Sequence, residues 1–259
     1  MTSQYELRKL KVLDILNSQS YITVSELGLV LDLSPASVRR LCSALEHDNI
    51  VIRTRGGLRN ANDRYSEYYY KSKINEDISE KKAIAIKACS LVKNDSTIFL
   101  EAGSTVFYFA NELAKKIQRR ELNNVTAFTN SLLSMNALSS VISVNLIGGT
   151  FRTERQDFSG YLAGKFISQF RFDIGFFGTD ALSLKDGLMV LDFDSARTIE
   201  ALKNQVNKRV VLVSSNKFDT TSLMSYSNPD DDFIIVTDNK ISKDMLDRYS
   251  EAYTIIVGN

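Results

Sequence analysis

Residues 23–45 read TVSELGLVLDLSPASVRRLCSAL, and this stretch decides the fold of the first part of the chain. Its opening residues, Thr23–Glu26, form a capping box, which starts a helix. The triplet at 32–34 is typical of a turn, and Pro35 suits the first position of a second helix because its missing N–H costs nothing there. That helix carries apolar residues at helical spacing, namely Val38, Cys42 and Leu45. The stretch therefore predicts two helices joined by a tight turn.

The flanking sequence predicts the rest of a small DNA-binding fold. Upstream, residues 5–17 place Leu7, Leu10, Leu13 and Leu16 three apart, with Ile15 and Val12 beside them, which predicts a short amphipathic helix. Leu27, Val30 and Leu31 continue the apolar face of the next helix, and Asn49 suits the end of the third. Downstream, residues 50–55 read as a strand and Gly56-Gly57 as its turn. Three short helices followed by a basic β-ribbon indicate a winged helix-turn-helix, with a protein-binding three-helix module as the alternative.

The third helix points to DNA as the partner. If Val38, Cys42 and Leu45 face the core, the small and basic residues of this helix face outward, where they suit a major groove. Arg53 and Arg55 share one face of the ribbon strand and can clamp the DNA backbone. The only histidine, His47, reads as a solvated residue near the helix end. The predicted DNA-binding residues are Ser34, Ala36, Ser37, Arg39, Arg40, Ser43, Arg53 and Arg55.

From Ile78 onward, short β runs alternate with helical stretches. The strand candidates are 97–101, 125–129, 143–147, 173–178, 210–214, 233–237 and 254–257, and helical patterns include 105–116, 131–139 and 195–206. This alternation predicts an α/β domain with a mostly parallel sheet. We therefore expect a winged helix domain at 1–60, a polar and tyrosine-rich linker at 61–77, and an α/β domain at 78–259.

Small and hydroxyl residues follow five of the predicted strands, where open α/β sheets bind their ligands. The Gly-Ser-Thr triplet at 103–105 runs directly into a helix, and free amides at a helix start attract anions. Lys217 adds a positive charge after another strand. The alternative is that these residues only form strand-ending turns. The predicted phosphate-binding residues are Gly103, Ser104, Thr105, Asn130, Ser131, Gly148, Gly149 and Lys217.

Composition excludes several classes of protein. Lys+Arg 32 and Asp+Glu 31 nearly balance, hydrophobic residues make up 44%, and two cysteines give neither a disulfide framework nor metal spacing. No apolar run suits a membrane span and the start lacks a signal-peptide pattern, so we expect a cytoplasmic protein without cofactor, metal or catalytic residues. Several acidic residues and one lysine could together form a proton-transfer site, but we interpret the acids as solvated loop residues and helix caps. These residues are Glu101, Asp173, Asp180, Asp186, Asp192, Asp194 and Lys217.

Short motifs occur in a fixed order from about Tyr5 to about Asp238. In the first part they are TVSEL (23–27), LSPASVRR (33–40), Leu45-Glu46 and RGG (55–57). In the second they are EKKAIA (80–85), FLEAGST (99–105), TNS (129–131), LIGGTFR (146–152), FDIGFFG (172–178), SNKF (215–218) and VTD (236–238).

Together these motifs resemble the DeoR-type (deoxyribose-operon repressor) family of bacterial transcription regulators. This resemblance implies a winged helix that binds operator DNA and a sensor domain related in fold to ribose-5-phosphate isomerase. It also implies a phosphorylated sugar as effector, repression of a sugar-catabolic operon, and assembly as a homodimer or homotetramer. The chain departs from the family pattern at Leu41, Cys42, Glu101, Glu200-Ala201 and Ser214. Three alternatives stay open: an isomerase-like enzyme with an added helical module, a regulator that has lost effector sensing, and an interaction protein whose α/β half only oligomerises.

Overall fold

The computed structural model describes residues 4–19, 21–48, 50–54, 57–60, 73–153, 155–227 and 231–259. The chain divides into two compact units, Met1–Tyr69 and Tyr70–Asn259. Asn49, Arg55, Gly56 and most of the expected linker lie outside the described residues, so the predictions made for them stay predictions.

The first unit is the predicted winged helix-turn-helix. Its helices are α1 (Gln4–Gln19), α2 (Val24–Leu31) and α3 (Pro35–His47), and its strands are β1 (Tyr21–Thr23), β2 (Val51–Thr54) and β3 (Gly57–Asn60). The strands pair antiparallel in the order β1-β3-β2, with β2 and β3 forming the ribbon. The sequence analysis did not identify β1, which joins the ribbon to the helices.

Local capping fixes the helix-turn-helix. The Thr23 side chain accepts a hydrogen bond from the Glu26 amide at 3.1 Å, and the Glu26 carboxylate accepts one from the Thr23 amide at 2.9 Å, which confirms the capping box. Asp32 ends α2 in the left-handed conformation with φ 51°. Ser34 then caps α3, with Pro35 in its first turn. Both helix starts are therefore encoded by their own residues.

The predicted helix α1 is present, but only part of its predicted apolar face is buried. Leu7 and Leu10 are 53% and 57% exposed, whereas Val12 and Leu16 are fully buried. The buried residues Val12 and Leu16 are four residues apart, a spacing that keeps side chains on one face of a helix. Residues three apart shift around the helix by about 60° each time, so a row of them leaves that face. On α2, Val30 is likewise exposed and Leu27 buried. The core of this unit is built from Val12, Leu16, Ile22, Leu27, Val38, Leu41, Cys42, Leu45, Val51 and Leu58.

The second unit is the predicted α/β domain. Its helices are α4 (Ile78–Cys89), α5 (Ser104–Gln118), α6 (Leu132–Leu138), α7 (Gly160–Ile167), α8 (Phe193–Lys203) and α9 (Lys243–Ser250). Its main strands are β4 (Thr97–Leu100), β5 (Thr126–Thr129), β6 (Val144–Leu146), β9 (Phe172–Gly178), β12 (Val206–Leu212), β14 (Phe233–Asp238) and β15 (Thr254–Gly258). These seven form one parallel sheet in the order β15-β14-β12-β9-β4-β5-β6.

Two small antiparallel sheets and two helices were not predicted. A hairpin pairs β7 (Thr150–Arg152) with β8 (Asp157–Ser159), and a second sheet joins β10 (Ala181–Ser183), β11 (Gly187–Val190) and β13 (Met224–Ser225). The sequence analysis identified neither α7 nor α9. Each of these strands has only two to four residues and pairs antiparallel outside the main sheet.

Helices cover both faces of the parallel sheet. One apolar layer packs under α4, α5 and α6, and the other packs under α7, α8 and α9. The strand order reverses between β4 and β9, which are adjacent, with Leu100 paired to Phe176. A doubly wound sheet opens a crevice at this switch point, beyond the carboxyl ends of the strands. The two free cysteines are buried, Cys42 in the first unit and Cys89 in the second.

Candidate DNA-binding surface and ligand site

Helix α3 presents the face that the sequence predicts. Val38, Leu41, Cys42 and Leu45 are buried, while Ser34, Ala36, Arg39, Arg40 and Ser43 are exposed and Ser37 is half-buried. Leu41 and Cys42 both belong to the apolar core of this unit. The outward face thus combines small residues, which permit close approach, with two guanidinium groups.

The two arginines of α3 fold back onto their own helix start. Arg39 Nε donates to the carbonyl of Pro35 at 3.2 Å, and an Arg40 guanidinium nitrogen donates to Ser37 Oγ at 3.5 Å. Ser37 Oγ also accepts from Ser34 Oγ at 3.0 Å. These contacts are long or local and keep both guanidinium groups at the exposed N-terminal end of α3.

Strand β2 contributes a third arginine to the same surface. Arg53 donates to Ser43 Oγ on α3 at 3.1 Å and lies 3.6 Å from a carboxylate oxygen of Glu46. Ser43 and Arg53, predicted separately as DNA contacts, are therefore neighbours. His47 is 88% exposed at the end of α3, 3.6 Å from Asp48, which confirms its assignment as a solvated residue.

The second candidate site lies at the switch point of the parallel sheet. Two glycines approach each other there: a Cβ built on Gly103 would lie 3.6 Å from the Gly178 Cα. Gly103 precedes α5 and leaves the first turn of that helix without a side-chain cap. The amides of this turn face the crevice end of the sheet, where a helix start attracts an anion. Ser104 is half-buried and Thr105 is buried beside them.

Glu101 fills the space between these glycines. Its carboxyl oxygen accepts from the Gly178 amide at 3.3 Å and lies 3.6 Å from the position of a Gly178 Cβ. Burial raises the pKa of Glu101 to about 8, and the neighbouring Asp157 raises it further, while Arg155 opposes the shift. The crevice is therefore lined by a carboxyl group that the fold keeps mostly protonated at neutral pH.

Lys217 reaches the same point from the far side of β9. Its ammonium donates to the Thr179 carbonyl at 2.6 Å, next to Gly178. Burial lowers the pKa of Lys217, and the charge of Asp180 opposes this shift. The hydroxyl of Ser214, in the loop leading to Lys217, is buried and has no hydrogen-bond partner among the described residues. Gly103 and Lys217 are thus brought together across Gly178-Thr179.

The remaining predicted ligand residues meet through the β7–β8 hairpin. Asn130 accepts from the Ala102 amide at 3.1 Å and donates to the Phe158 carbonyl at 3.0 Å, so it joins three loops. Ser131 caps α6 and is fully buried. A Cβ on Gly149 would lie 2.5 Å from the Ser159 carbonyl oxygen, whereas Gly148 has open space around it. Asn130, Ser131 and Gly149 therefore hold the crevice wall together.

An ion network that the sequence analysis missed supports this wall. Arg152 binds Asp157 at 2.6 and 2.7 Å and Asp192 at 2.6 Å, and it also donates to Ser195 at 3.1 Å. Arg155 pairs with the same two aspartates at 3.3 and 3.4 Å. Burial disfavours the charge of Asp192, but the two arginines hold its pKa below the usual range. The network ties the hairpin to the start of α8.

Only part of the acidic set lies at the switch point, where Glu101 accepts from the Gly178 amide and the charge of Asp180 acts on Lys217. Asp173 accepts from the Thr97 amide at the opposite, amino end of β4, Asp186 closes the β10–β11 turn, and Asp192 caps α8. No group of His, Cys, Asp and Glu able to hold a metal is found among the described residues. Within the same part of the chain, no helix is long and apolar enough to cross a membrane.

Two family models cover most of the chain. A model of the DeoR C-terminal sensor domain matches residues 76–239, and a model of the DeoR-like helix-turn-helix domain matches residues 8–64. These matches fall on the two units that carry the candidate ligand site and the candidate DNA-binding surface.

Curated relatives match over nearly the full length. The lactose phosphotransferase system repressor of Lactococcus lactis subsp. lactis is 33% identical, covering 95% of this chain and 96% of that protein. The HTH-type transcriptional regulator GolR of Listeria innocua is 29% identical over 95% of each. The glycerol-3-phosphate regulon repressor of Escherichia coli K12 is 25% identical over 83% of each. Among solved structures, ribose 5-phosphate isomerase from Plasmodium falciparum is 20% identical with a TM-score of 0.41, covering 55% of this chain and 54% of that chain.

Proposed function

Because this chain belongs to the DeoR family of transcriptional regulators, we propose that it represses a sugar-metabolism operon in response to a phosphorylated sugar. It is a DNA-binding regulator rather than an enzyme, as its relatives are. The first unit binds operator DNA through α3 and the ribbon, and the second binds the sugar phosphate. The domain limits that we assign are 1–60 for DNA binding, 61–77 for the linker and 78–259 for sensing and oligomerisation.

The observation that carries the effector proposal is the convergence at the switch point. The uncapped start of α5 lies next to Gly178, and the ammonium of Lys217 lies next to Thr179. A phosphate between them would accept hydrogen bonds from the α5 amides and the hydroxyls of Ser104 and Thr105, and Lys217 would neutralise its charge. The sugar would extend toward Asn130 and the open side of Gly148. In two of the relatives, the names point to sugar or phosphate-ester metabolism.

The experiment is thermal-shift screening with glycerol 3-phosphate, ribose 5-phosphate, fructose 6-phosphate and their unphosphorylated counterparts. At least one ester should stabilise the protein and weaken its binding to operator DNA, because an effector must favour one state over the other. Lys217→Met should lose both effects while keeping operator binding. The matched control is Lys185→Met, which removes an exposed lysine from the β10–β11 turn.

Two results would contradict the effector assignment. One is an equal response of Lys217→Met and the unchanged protein. The other is that no phosphate ester stabilises the protein or alters operator binding, which would leave a regulator without phosphosugar sensing.

The regulator is also proposed to act as a homodimer or homotetramer. A single helix-turn-helix unit reads one half-site, and two linked units gain affinity because the second contact is intramolecular. The α/β unit is the larger one and is assigned the subunit contacts.

A further inference from the structure

Helix α7 presents an apolar face to the outside of the α/β unit. Tyr161, Leu162 and Phe166 are 80%, 55% and 47% exposed, and Lys165 is the remaining exposed residue of this helix. The opposite face is part of the core, where Ile167 is fully buried. A helix on the surface of a globular protein carries polar residues on its outer face. Helix α7 is instead apolar on both faces, and the described residues cover only the inner one.

Two elements that contact α7 add to this apolar surface. Phe151 of β7 is 42% exposed, and Phe193 at the start of α8 is 50% exposed. Together with the three side chains of α7 they expose roughly 500 Å², at about 200 Å² for a fully exposed large side chain. A stable interface covers about 800 Å² on each partner, and monomers rarely expose apolar patches above a few hundred Å². The exposed area is therefore in the range that a subunit contact needs.

A groove on the far side of α8 complements this face in shape. Helix α8 packs against α7 through Ala201, whose Cβ lies 3.7 Å from the position of a Gly164 Cβ. On the other side of α8, Lys203 donates to the Tyr226 carbonyl at 2.9 Å, next to β13. The groove between α8 and β13 has a volume of about 400 Å³, which is enough for a large side chain. Helix α8 thus separates α7 from the groove of its own chain.

The groove offers partners to an aromatic side chain that carries a hydroxyl. The Arg197 guanidinium is exposed and lies 4.3 Å from the centre of the Phe193 ring. The Ser227 hydroxyl lines the groove, is buried, and has no hydrogen-bond partner among the described residues. A buried hydroxyl without a partner costs free energy, which a phenol hydroxyl from another chain would recover. Tyr161, the most exposed large apolar side chain described in this unit, carries such a group.

The charges around this surface suit a second copy of the same chain. The exposed charged residues of α7 and α8 are two cations, Lys165 and Arg197, and two anions, Asp194 and Glu200. Because the signs balance, a copy of the same surface is not repelled. A strongly acidic or strongly basic partner would find no excess of opposite charge here.

We propose that this surface joins two copies of the chain, with α7 of each copy lying in the groove between α8 and β13 of the other. This rests on the proposed function, which takes at least a dimer as given, and it names the surface that forms the dimer. A two-fold contact needs a self-complementary surface, and here each copy supplies both an apolar helix and a groove. Tyr161 would enter the groove beside Arg197 and bond Ser227. Tyrosine and arginine are the side chains that most often dominate the energy of interfaces.

The first test is sedimentation equilibrium of the full chain with Leu162→Lys and Phe166→Lys combined. Two ammonium groups on the contact face should raise the dimer dissociation constant by about 100-fold or more, because they lose hydration without gaining a partner. If the unchanged protein is a tetramer, the variant should be a dimer. The matched control is Ile86→Lys on α4, a side chain that is 54% exposed, and this variant should associate as the unchanged protein does. Circular dichroism should show the same helix content in all three proteins, since the changed side chains are exposed.

A double-mutant cycle tests the pairing of Tyr161 with Ser227. Tyr161→Phe removes only the hydroxyl and should raise the dissociation constant by about tenfold. In a Ser227→Ala background the same change should have no further effect, because the partner hydroxyl is already absent. Additive effects of the two changes would overturn the placement of Tyr161 in the groove.

Hydroxyl-radical footprinting of the unchanged protein measures the coverage of α7 without any substitution. Oxidation of Tyr161 and Phe166 should slow as the protein concentration rises through the dissociation constant, while oxidation of Ile86 should stay constant. Protection of α7 at every concentration would mean that a part of the same chain covers it, which overturns the inference.

The outcomes distinguish this inference from the function beneath it. If the unchanged protein stays monomeric at micromolar concentration, the proposed assembly fails and the inference fails with it. If the unchanged protein associates and the α7 double variant associates equally tightly, or Ile86→Lys dissociates the protein as strongly, the inference alone is overturned.

Discussion

Glu101 is a buried carboxyl group whose protonation the folded state changes. Its pKa rises from 4.5 to about 8 on burial, so the folded protein holds a proton that the unfolded chain releases at neutral pH. The stabilisation from this group is complete below about pH 4.5 and is lost as the pH rises to about 8. Relative to Glu101→Gln, stability should fall by about 1.4 kcal/mol per pH unit across that window. Calorimetric melting of the α/β unit at several pH values measures the difference.

An exposed acid of the same unit provides the control for this pH profile. Glu200→Gln changes an exposed carboxyl group on α8 and should leave the pH dependence of melting as it is. If the stability of Glu101→Gln and that of the unchanged protein vary with pH in the same way, Glu101 is not protonated in the folded protein.

The arginines of the first unit should divide into two kinds of DNA contact. Replacing Arg39 and Arg40 with alanine should cost about 1–3 kcal/mol for each base-reading group and relax the preference for operator over random DNA. Arg53→Ala should weaken binding to both duplexes alike and flatten the salt dependence, because a phosphate contact carries no sequence information. Gel-shift titrations at two salt concentrations separate the effects, with Arg120→Ala in the α/β unit as control. Unchanged binding by the double variant would refute the role of α3.

Sequence alone predicted these DNA-contact candidates because they depend on local signals. The capping box, the N-terminal proline and the four-residue apolar spacing all lie within α2 and α3 themselves. Arg152 and Arg155 escaped prediction for the opposite reason. Their roles depend on partners in other elements, such as Asp192, which lies 40 residues from Arg152.

At the scale of elements, the β7–β8 hairpin depends on one arginine. Arg152 bonds Asp157, which is fully buried, and reaches Asp192 and Ser195 at the start of α8. Arg152→Met leaves the buried carboxylate of Asp157 with Arg155 as its remaining cationic partner. Removing one partner of a buried ion pair lowers the free energy of unfolding by about 3–5 kcal/mol. The melting temperature of the α/β unit should fall accordingly in calorimetry.

A matched arginine tests whether charge alone explains this loss. Arg171 is exposed and bonds only the carbonyl of its neighbour Phe170 among the described residues. Arg171→Met should therefore melt close to the unchanged protein. Equal melting of both variants would mean that Arg155 suffices to compensate Asp157.

The elements that sequence predicted are those with a long or distinctive pattern. The seven parallel strands read as apolar runs, and six of them end near the predicted residue. The short strands β1, β7, β8, β10 and β13 have two or three residues, so they exist through pairing and not through an alternating pattern. Leu7 and Leu10 of α1 lie outside the buried face because a three-residue spacing drifts around the helix and leaves its apolar stripe.

At the scale of the whole molecule, we expect the first unit to fold without the second but to bind operator DNA more weakly without it. The first unit has its own apolar core, so a fragment of residues 1–69 should fold by itself. If the chain binds as a dimer held by the α/β unit, this fragment should bind operator about 100-fold to 10,000-fold more weakly than the whole chain. Light scattering of the whole chain should give at least a dimer at micromolar concentration. If the whole chain is a monomer and binds operator DNA no more tightly than the fragment of residues 1–69, the proposed assembly is contradicted.

Cys42 and Cys89 are buried in different units, so the rate at which each thiol is modified reports how often its own unit opens. Burial raises the pKa of both thiols, that of Cys89 to about 12, so neither reacts while its unit stays closed. A thiol reagent at pH 8 therefore reports how often each unit opens, and peptide mass analysis tells which cysteine reacted. The smaller winged helix should open more often, so Cys42 should be modified first. Operator DNA should slow Cys42 alone and a sugar phosphate Cys89 alone, and modification of both at one shared rate would mean that the two units open together.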